Sequence, residues 1–253
     1  MINTLPIVAQ LKAHVFNNEN EQHNNKFTFD AEHKLIYNLL IIGSLLCCTM
    51  FTVRMSATGH FYYAFLIWNL FLAWLPYFFA KALYNDHYKI FHAFYLVCWL
   101  AFFPNAPYLI TDLVHLPNKH THWYWFDQSM LVMFAINGLM LGAISLLTVH
   151  KYINKFLKRR FTWPSIFVLL FMCAYGVYLG RIERYNSWDI IATPISLAKN
   201  IWNDFRHPIQ NNDVFIFTFV IAILLTIIYL FIVSLKYPEL ILKKPICKIL
   251  DEK

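Results

Sequence analysis

The chain has 253 residues, of which 59% are apolar, 19% aromatic and only 14% charged, where a soluble domain carries roughly 25% charged residues. The deficit is gathered into long charge-free runs, which argues against one large soluble core and for a membrane protein. The net charge of +7 comes from basic residues that flank apolar runs, a pattern of membrane anchoring that disfavours nucleic acid as a partner.

The first apolar patch, Leu5 to Leu11, is short and interrupted by Pro6 and Gln10, so no cleavable signal peptide is read there. Residues 17–25 (NNENEQHNN) read as a disordered polar segment. Residues 1–34 are thus expected to be a polar N-terminal segment, 35–235 a transmembrane bundle and 236–253 a basic tail. Cys47, Cys48, Cys98 and Cys173 lie in apolar runs and Cys247 in the tail, which reads as small buried residues rather than a disulfide framework.

Six runs reach the roughly 20 residues that span about 30 Å of hydrocarbon. They cover 35–53, 61–80, 90–111, 128–149, 163–180 and 214–235, and none contains Asp, Glu, Lys or Arg. The fold class is therefore an all-α polytopic membrane bundle. Lysine and arginine orient it: Lys151, Lys155, Lys158, Arg159 and Arg160 in one loop, and five lysines in the tail, belong on the cytoplasmic side. An even number of spans then gives an N-in, C-in topology, with fifteen basic residues inside against six outside. The third and fifth spans end together on the extracytoplasmic face.

The third span ends in Phe102-Phe103-Pro104-Asn105-Ala106-Pro107-Tyr108-Leu109-Ile110-Thr111-Asp112-Leu113-Val114-His115. From Ile90 to Phe103 is about 21 Å of helix at 1.5 Å per residue, so Pro104 falls before the outer boundary. Prolines at that depth remove hydrogen bonds that lipid cannot replace, and broken helices occur there where they are buried in protein or line a wet cavity. Asn105 is expected to accept from free backbone donors and Pro107 to start a new turn. Tyr108, Asp112 and His115 then share one face at i, i+4 and i+7. The alternative is a simple proline kink with its polar residues at the interface.

The fifth span runs out into Gly180-Arg181-Ile182-Glu183-Arg184-Tyr185-Asn186-Ser187-Trp188-Asp189. Arginine forks suit the carboxylates and phosphates of lipid headgroups and lipid-linked intermediates. Equally, Glu183 and Asp189 could tie to Arg181 and Arg184, or the arginines to Asp112, as internal pairs. Beyond this cluster, Thr193 and Pro194 mark the start of a helix. Ile195, Ala198, Trp202 and Phe205 recur at helical spacing opposite Lys199, Asn203 and Arg206, which describes an amphipathic helix on the outer surface or a lid over the bundle.

His115, His120, His122 and Asp127, with Asp112, are chemically able to ligate zinc, but His120-x-His122 lacks the rigid spacing of a zinc signature and runs into an aromatic belt, Trp123 to Phe126. No metal is therefore expected. Gly138 and Gly142, with Gly176 and Gly180, form small-xxx-small patterns in the fourth and fifth spans that would let two helices approach closely, each other being one choice of partner. His92, Asn69 and Asn137 are lone polar residues in spans. No Gly-rich phosphate loop, G-x-S-x-G elbow or H-E-x-x-H motif occurs, and nothing indicates a nucleotide or redox cofactor.

FFPNAPYLITDLVHL and YGVYLGRIERYNSWD together resemble the bacterial membrane family catalogued as domain of unknown function 1361, over most of the chain from first span to last. The resemblance implies a multi-pass protein of the bacterial cytoplasmic membrane. Its signature residues correspond here to Pro104, Asn105, Pro107, Tyr108, Asp112, His115, Gly180, Arg181, Arg184, Asn186, Ser187, Trp188 and Asp189; it implies no particular activity. The residues themselves favour an outward-facing site for an envelope or lipid-linked anionic substrate. In it Asp112 or His115 would be the general base, with Asn105, Tyr108, Arg181, Arg184, Asn186 and Asp189 binding substrate. A transporter or channel component, and a non-catalytic assembly or stabilising subunit, are the alternatives.

Overall fold

A computed structural model of the chain describes residues 34–86, 88–115 and 122–236. The polar N-terminal segment, the basic tail beyond Lys236, and His120 lie outside these residues. Among the described residues the regular structure is helical, and six helices are long and apolar enough to cross a membrane. The chain forms the expected all-α polytopic membrane bundle.

The helices are α1 (Lys34–Thr58), α2 (Ala64–Asn85), α3 (His92–Phe102), α4 (Asn105–Thr111), α5 (Tyr124–Asn154), α6 (Arg159–Arg181), α7 (Asp189–Ala192), α8 (Pro194–Arg206) and α9 (Asn212–Lys236). α3, α4 and a 3-10 turn over Asp112–His115 together make the third span. The chain divides into two units, Met1–Leu46 and Cys47–Lys253. The described part of the first is the opening stretch of α1; everything below concerns the second.

The helices run past the charge-free windows. α5 has 31 residues, about 46 Å at 1.5 Å per residue, while the hydrocarbon is about 30 Å thick. Windows bounded by charge therefore stop short of the true ends, and Arg54, Asp127 and Arg181 lie within helices rather than in loops. This corrects the expectation of charge-free spans. All three, with Asp112, sit at the end of the bundle where α1, the third span and α6 finish, called here the upper end.

The core lies lower. Trp99, fully buried, stacks on Phe103 with centroids 4.5 Å apart, surrounded by Ala80 and Leu83 of α2, Leu146 and Val149 of α5, Ile166 and Leu170 of α6 and Tyr229 and Val233 of α9. The third span breaks immediately above this stack, at Phe103 and Pro104.

The break is shorter than expected. Pro104 has helical φ, and α4 restarts at Asn105 rather than at Pro107. The Ala106 N–H, which would have served Phe102 in a regular helix, bonds Phe103 O at 3.2 Å instead. That leaves Phe102 O without its helical donor, and Asn105 Nδ2 donates to it at 3.0 Å. Asn105 was expected to accept; it donates, because proline removes N–H groups and strands carbonyls.

The glycines explain how α4 is seated. A Cβ on Gly138 would lie 2.6 Å from Ala106 O and one on Gly142 3.1 Å from Ala106 Cβ, while one on Gly176 would overlap Pro104 Cγ and one on Gly180 would lie 3.2 Å from Tyr108 Cε2. The two pairs do not bring α5 and α6 together, as the spacing suggested. They receive opposite sides of α4, which is wedged between those helices.

Candidate functional site

Above the Trp99–Phe103 stack, the broken span, α2, α6, the loop after α6 and α8 enclose a cavity of about 450 Å³. The part beside α3 is apolar, with Leu72, Leu100, Ala101 and Met172; Leu179 lies higher, next to the glycine that packs on Tyr108, Leu197 belongs to α8, and the upper rim carries Asn69, Asn105, Tyr108, Tyr185, Asn186 and Ser187. Val97 and Met172 also line it and are 68% and 44% exposed, so the cleft between α3 and α6 is open towards hydrocarbon. That shape follows from the break: α4 steps inward onto the glycines of α5 and α6, and α3 below it no longer closes against α6.

One ion pair holds the cavity's wall. Asp112, 1% exposed, accepts from Arg181 Nη1 at 3.1 Å and from Asn69 Nδ2 at 2.9 Å. Arg181 Nη2 donates to Thr111 O at 2.6 Å, its Nη1 reaches Tyr108 Oη at 3.3 Å, and its guanidinium lies over the Tyr108 ring at 5.4 Å. Arg181 thus neutralises the aspartate and caps the C-terminus of α4, where a cation is favoured. Neither Asp112 nor Arg181 lines the cavity; Asn69 and Tyr108, which they hold, do.

The loop after α6 leaves through Arg184, a non-glycine residue at φ 61°. Arg184 is exposed and outside the cavity wall. Asp189 Oδ2 accepts from the Asn186 N–H at 2.6 Å, and Ser187 Oγ accepts from Asn105 Nδ2 at 2.8 Å, which stitches the loop to the start of α4. Glu183 pairs with neither arginine. It accepts from Tyr178 at 3.3 Å and Asn200 at 3.1 Å.

α8 begins at Pro194 as read, although the Thr193 hydroxyl does not cap it and bonds Asp189 O at 3.5 Å. Three hydrogen bonds tie the loop and helix to α6 and its exit: Tyr175 to Asp204 at 2.8 Å, Asn200 to Glu183, and Tyr185 with Ser196 at 3.2 Å. Leu197 and Ile201 face the cavity, while Ile195 and Trp202 are 71% and 67% exposed. The helix therefore covers the cavity with one face, as expected of a lid, and carries a separate apolar stripe on its exposed face.

The sequence-predicted residues separate into two places. A 3-10 turn has 3.0 residues per turn against 3.6 in an α-helix, so His115 is rotated away from the face shared by Tyr108 and Asp112. It packs edge-on against Phe65 at 5.1 Å and lines a second, more open cavity of about 670 Å³ with Arg54, His60, Tyr62, Tyr63 and Asp127. Asp127, fully buried, is held by the Nε and Nη2 of Arg54, the latter at 3.0 Å, and by the Tyr63 hydroxyl at 3.2 Å. Burial, and then the Asp127 carboxylate, push the Tyr63 phenol well above its ordinary pKa. Among the described residues no three metal-ligating side chains converge, and His122 stands edge-on to Trp123 at 5.9 Å.

Sequence reasoning missed the Arg54–Asp127 pair and the part played by Asn69. A signal for the first was present: each is a single charge one or two turns inside a helix end, of opposite sign. Asn69 offered no signal until α2 was placed beside Asp112.

A bundle of six spans with an amphipathic cavity at one end defines a multi-pass integral membrane protein. Residues 68–228 match the family model of "Protein of unknown function (DUF1361)", and the chain belongs to that family. The matched segment takes in the whole cavity wall and the Asp112–Arg181 pair, but not Arg54. No curated protein and no solved structure matches the chain.

Proposed function

We propose that the protein binds a membrane-resident amphiphile, a lipid or lipid-linked intermediate of the cell envelope, with its chain in the cavity below α4 and its polar end at the rim. The zoning of the cavity carries this reading: apolar at depth, polar above, and open sideways to hydrocarbon. Its volume lies within the range of about 300–1,000 Å³ usual for ligand sites. The lysine and arginine distribution favours a rim on the extracytoplasmic side, which supports an envelope ligand for a protein of the bacterial cytoplasmic membrane.

In this reading Asn105, Tyr108 and Asn186 contact the ligand. Asp112 and Arg181 are positioning residues that fix Asn69, Tyr108 and the end of α4, and Asp189 orders the loop that carries Asn186. Among the described residues, the cavity wall includes no carboxylate, imidazole or thiol, so it is suited to binding and presenting a ligand rather than to acid–base chemistry.

A lipid with a photoactivatable group near the end of its acyl chain tests this. Labelling should concentrate on Leu72, Leu100, Ala101 and Met172 and fall sharply in Leu179→Trp, which fills the cavity. Labelling spread evenly over the lipid-facing surfaces of α1 and α9 would sink the proposal.

A further inference from the structure

Resting on that reading, we infer that the ligand's polar end is an uncharged, hydroxyl-rich group, of glycosyl or glycerol type, rather than a phosphate, carboxylate or ammonium. The argument follows the hydrogen bonds already committed at the rim. The Asp112 carboxylate, ion-paired with Arg181, only accepts, so Asn69 must turn its nitrogen to Asp112, which leaves Oδ1 and one N–H of Asn69. Phe102 O likewise only accepts, so Asn105 turns its nitrogen to Phe102 and Ser187 and also has Oδ1 left. Neither oxygen has a partner among the described residues, and neither is sealed from the cavity that both side chains line.

The hydroxyls are oriented by the same logic. Ser187 Oγ accepts from Asn105, so its own hydrogen is free to donate. Tyr108 Oη accepts from Arg181 and is free to donate in the same way. These four side chains thus present two fixed amide oxygens as acceptors and two hydroxyls and one Asn69 N–H as donors, a set that a group of vicinal hydroxyls satisfies in both directions. An anion, which offers only acceptors, would face the two amide oxygens with no lining cation: Arg181 is engaged by Asp112, Thr111 and Tyr108, and Arg184 lies outside the wall. An ammonium would find acceptors but no lining carboxylate. Of the arginines that suggested an anionic substrate in the sequence, Arg181 is committed to the fold and Arg184 lies outside the cavity wall.

The test is competitive binding to the purified, delipidated full chain. Native mass spectrometry would follow an equimolar mixture of a monoglycosyl diacylglycerol, phosphatidic acid, phosphatidylethanolamine and plain diacylglycerol. The glycosyl lipid should be retained about tenfold over each of the others, the ratio set by one well-made hydrogen-bond pair. Ser187→Ala and Tyr108→Phe, each removing one hydroxyl, should reduce that preference several-fold while acyl-chain photolabelling of the cavity persists. Equal or greater retention of phosphatidic acid or phosphatidylethanolamine overturns the inference but leaves lipid binding standing. So does a glycosyl preference that both variants leave untouched. Loss of cavity photolabelling in the wild-type chain would instead remove the lipid-binding reading beneath it.

Discussion

Replacing Asp112 with alanine distinguishes a positioning residue from a general base. The carboxylate is 1% exposed and holds Arg181, whose side chain is 15% exposed, and Asn69. Deleting it leaves a nearly buried guanidinium without its counter-charge, which costs about 3–5 kcal/mol, and strands the Asn69 amide, worth about 1–3 kcal/mol. Arg181 keeps Thr111 O and Tyr108 Oη, so the two losses overlap and the net destabilisation should stay near 3–5 kcal/mol. That is a large part of a total stability of about 5–15 kcal/mol. Asp112→Ala should therefore fail first as a protein, with lower yield and an earlier transition in detergent-solubilised thermal or denaturant unfolding. The double variant Asp112→Leu, Arg181→Met, which removes both charges, should recover most of the loss, and the coupling energy from the cycle should exceed about 1 kcal/mol. If Asp112→Ala stays within about 1 kcal/mol of wild type yet abolishes an envelope phenotype, the clamp argument is wrong and Asp112 acts on substrate.

Four further outcomes follow. Gly176→Ala places a Cβ on Pro104, in the packed seat of α4, and should cost about 1–3 kcal/mol and reduce cavity photolabelling. Arg54→Lys loses the two-pronged grip on the fully buried Asp127 and should destabilise nearly as much as Arg54→Ala, because an ammonium cannot reproduce the fork; wild-type stability would show the pair to be dispensable. Arg184→Gly relieves a left-handed backbone at φ 61° and should leave unfolding unchanged or raise stability by about 1 kcal/mol; a marked loss would mean that the guanidinium has a partner. Tyr175→Phe removes the bond to Asp204 and should speed hydrogen exchange across Pro194–Arg206 while the six spans exchange as before.

What the sequence revealed and what it hid divide along one physical line. Long apolar runs, lysine-rich loops and proline at depth are local properties, and from them the six spans and the broken third helix were readable. Contacts between helices are not local. Gly138-x-x-x-Gly142 and Gly176-x-x-x-Gly180 announce close approach without naming the partner, and the partner is α4 rather than each other. Asp112 and His115 keep helical spacing on paper, but within a single 3-10 turn Asp112 closes on Arg181 while His115 turns to the second cavity.

The charges show most clearly why the site was only half legible. A span bounded by its first charged residue is drawn so that every such residue falls outside, where it reads as available for chemistry. In the folded chain the same four residues, Arg54, Asp112, Asp127 and Arg181, close in two pairs between helices. A charge near lipid persists by finding a counter-charge, so the groups most reactive on paper are the first to be committed to the fold. What remains at the cavity rim is the neutral remainder of that arrangement, the amide oxygens and hydroxyls whose other ends the charges and stranded carbonyls have fixed. In the proposed site it is therefore Asn69, Asn105, Tyr108, Asn186 and Ser187 that would meet the ligand, with the ionised pair Asp112 and Arg181 outside the cavity wall.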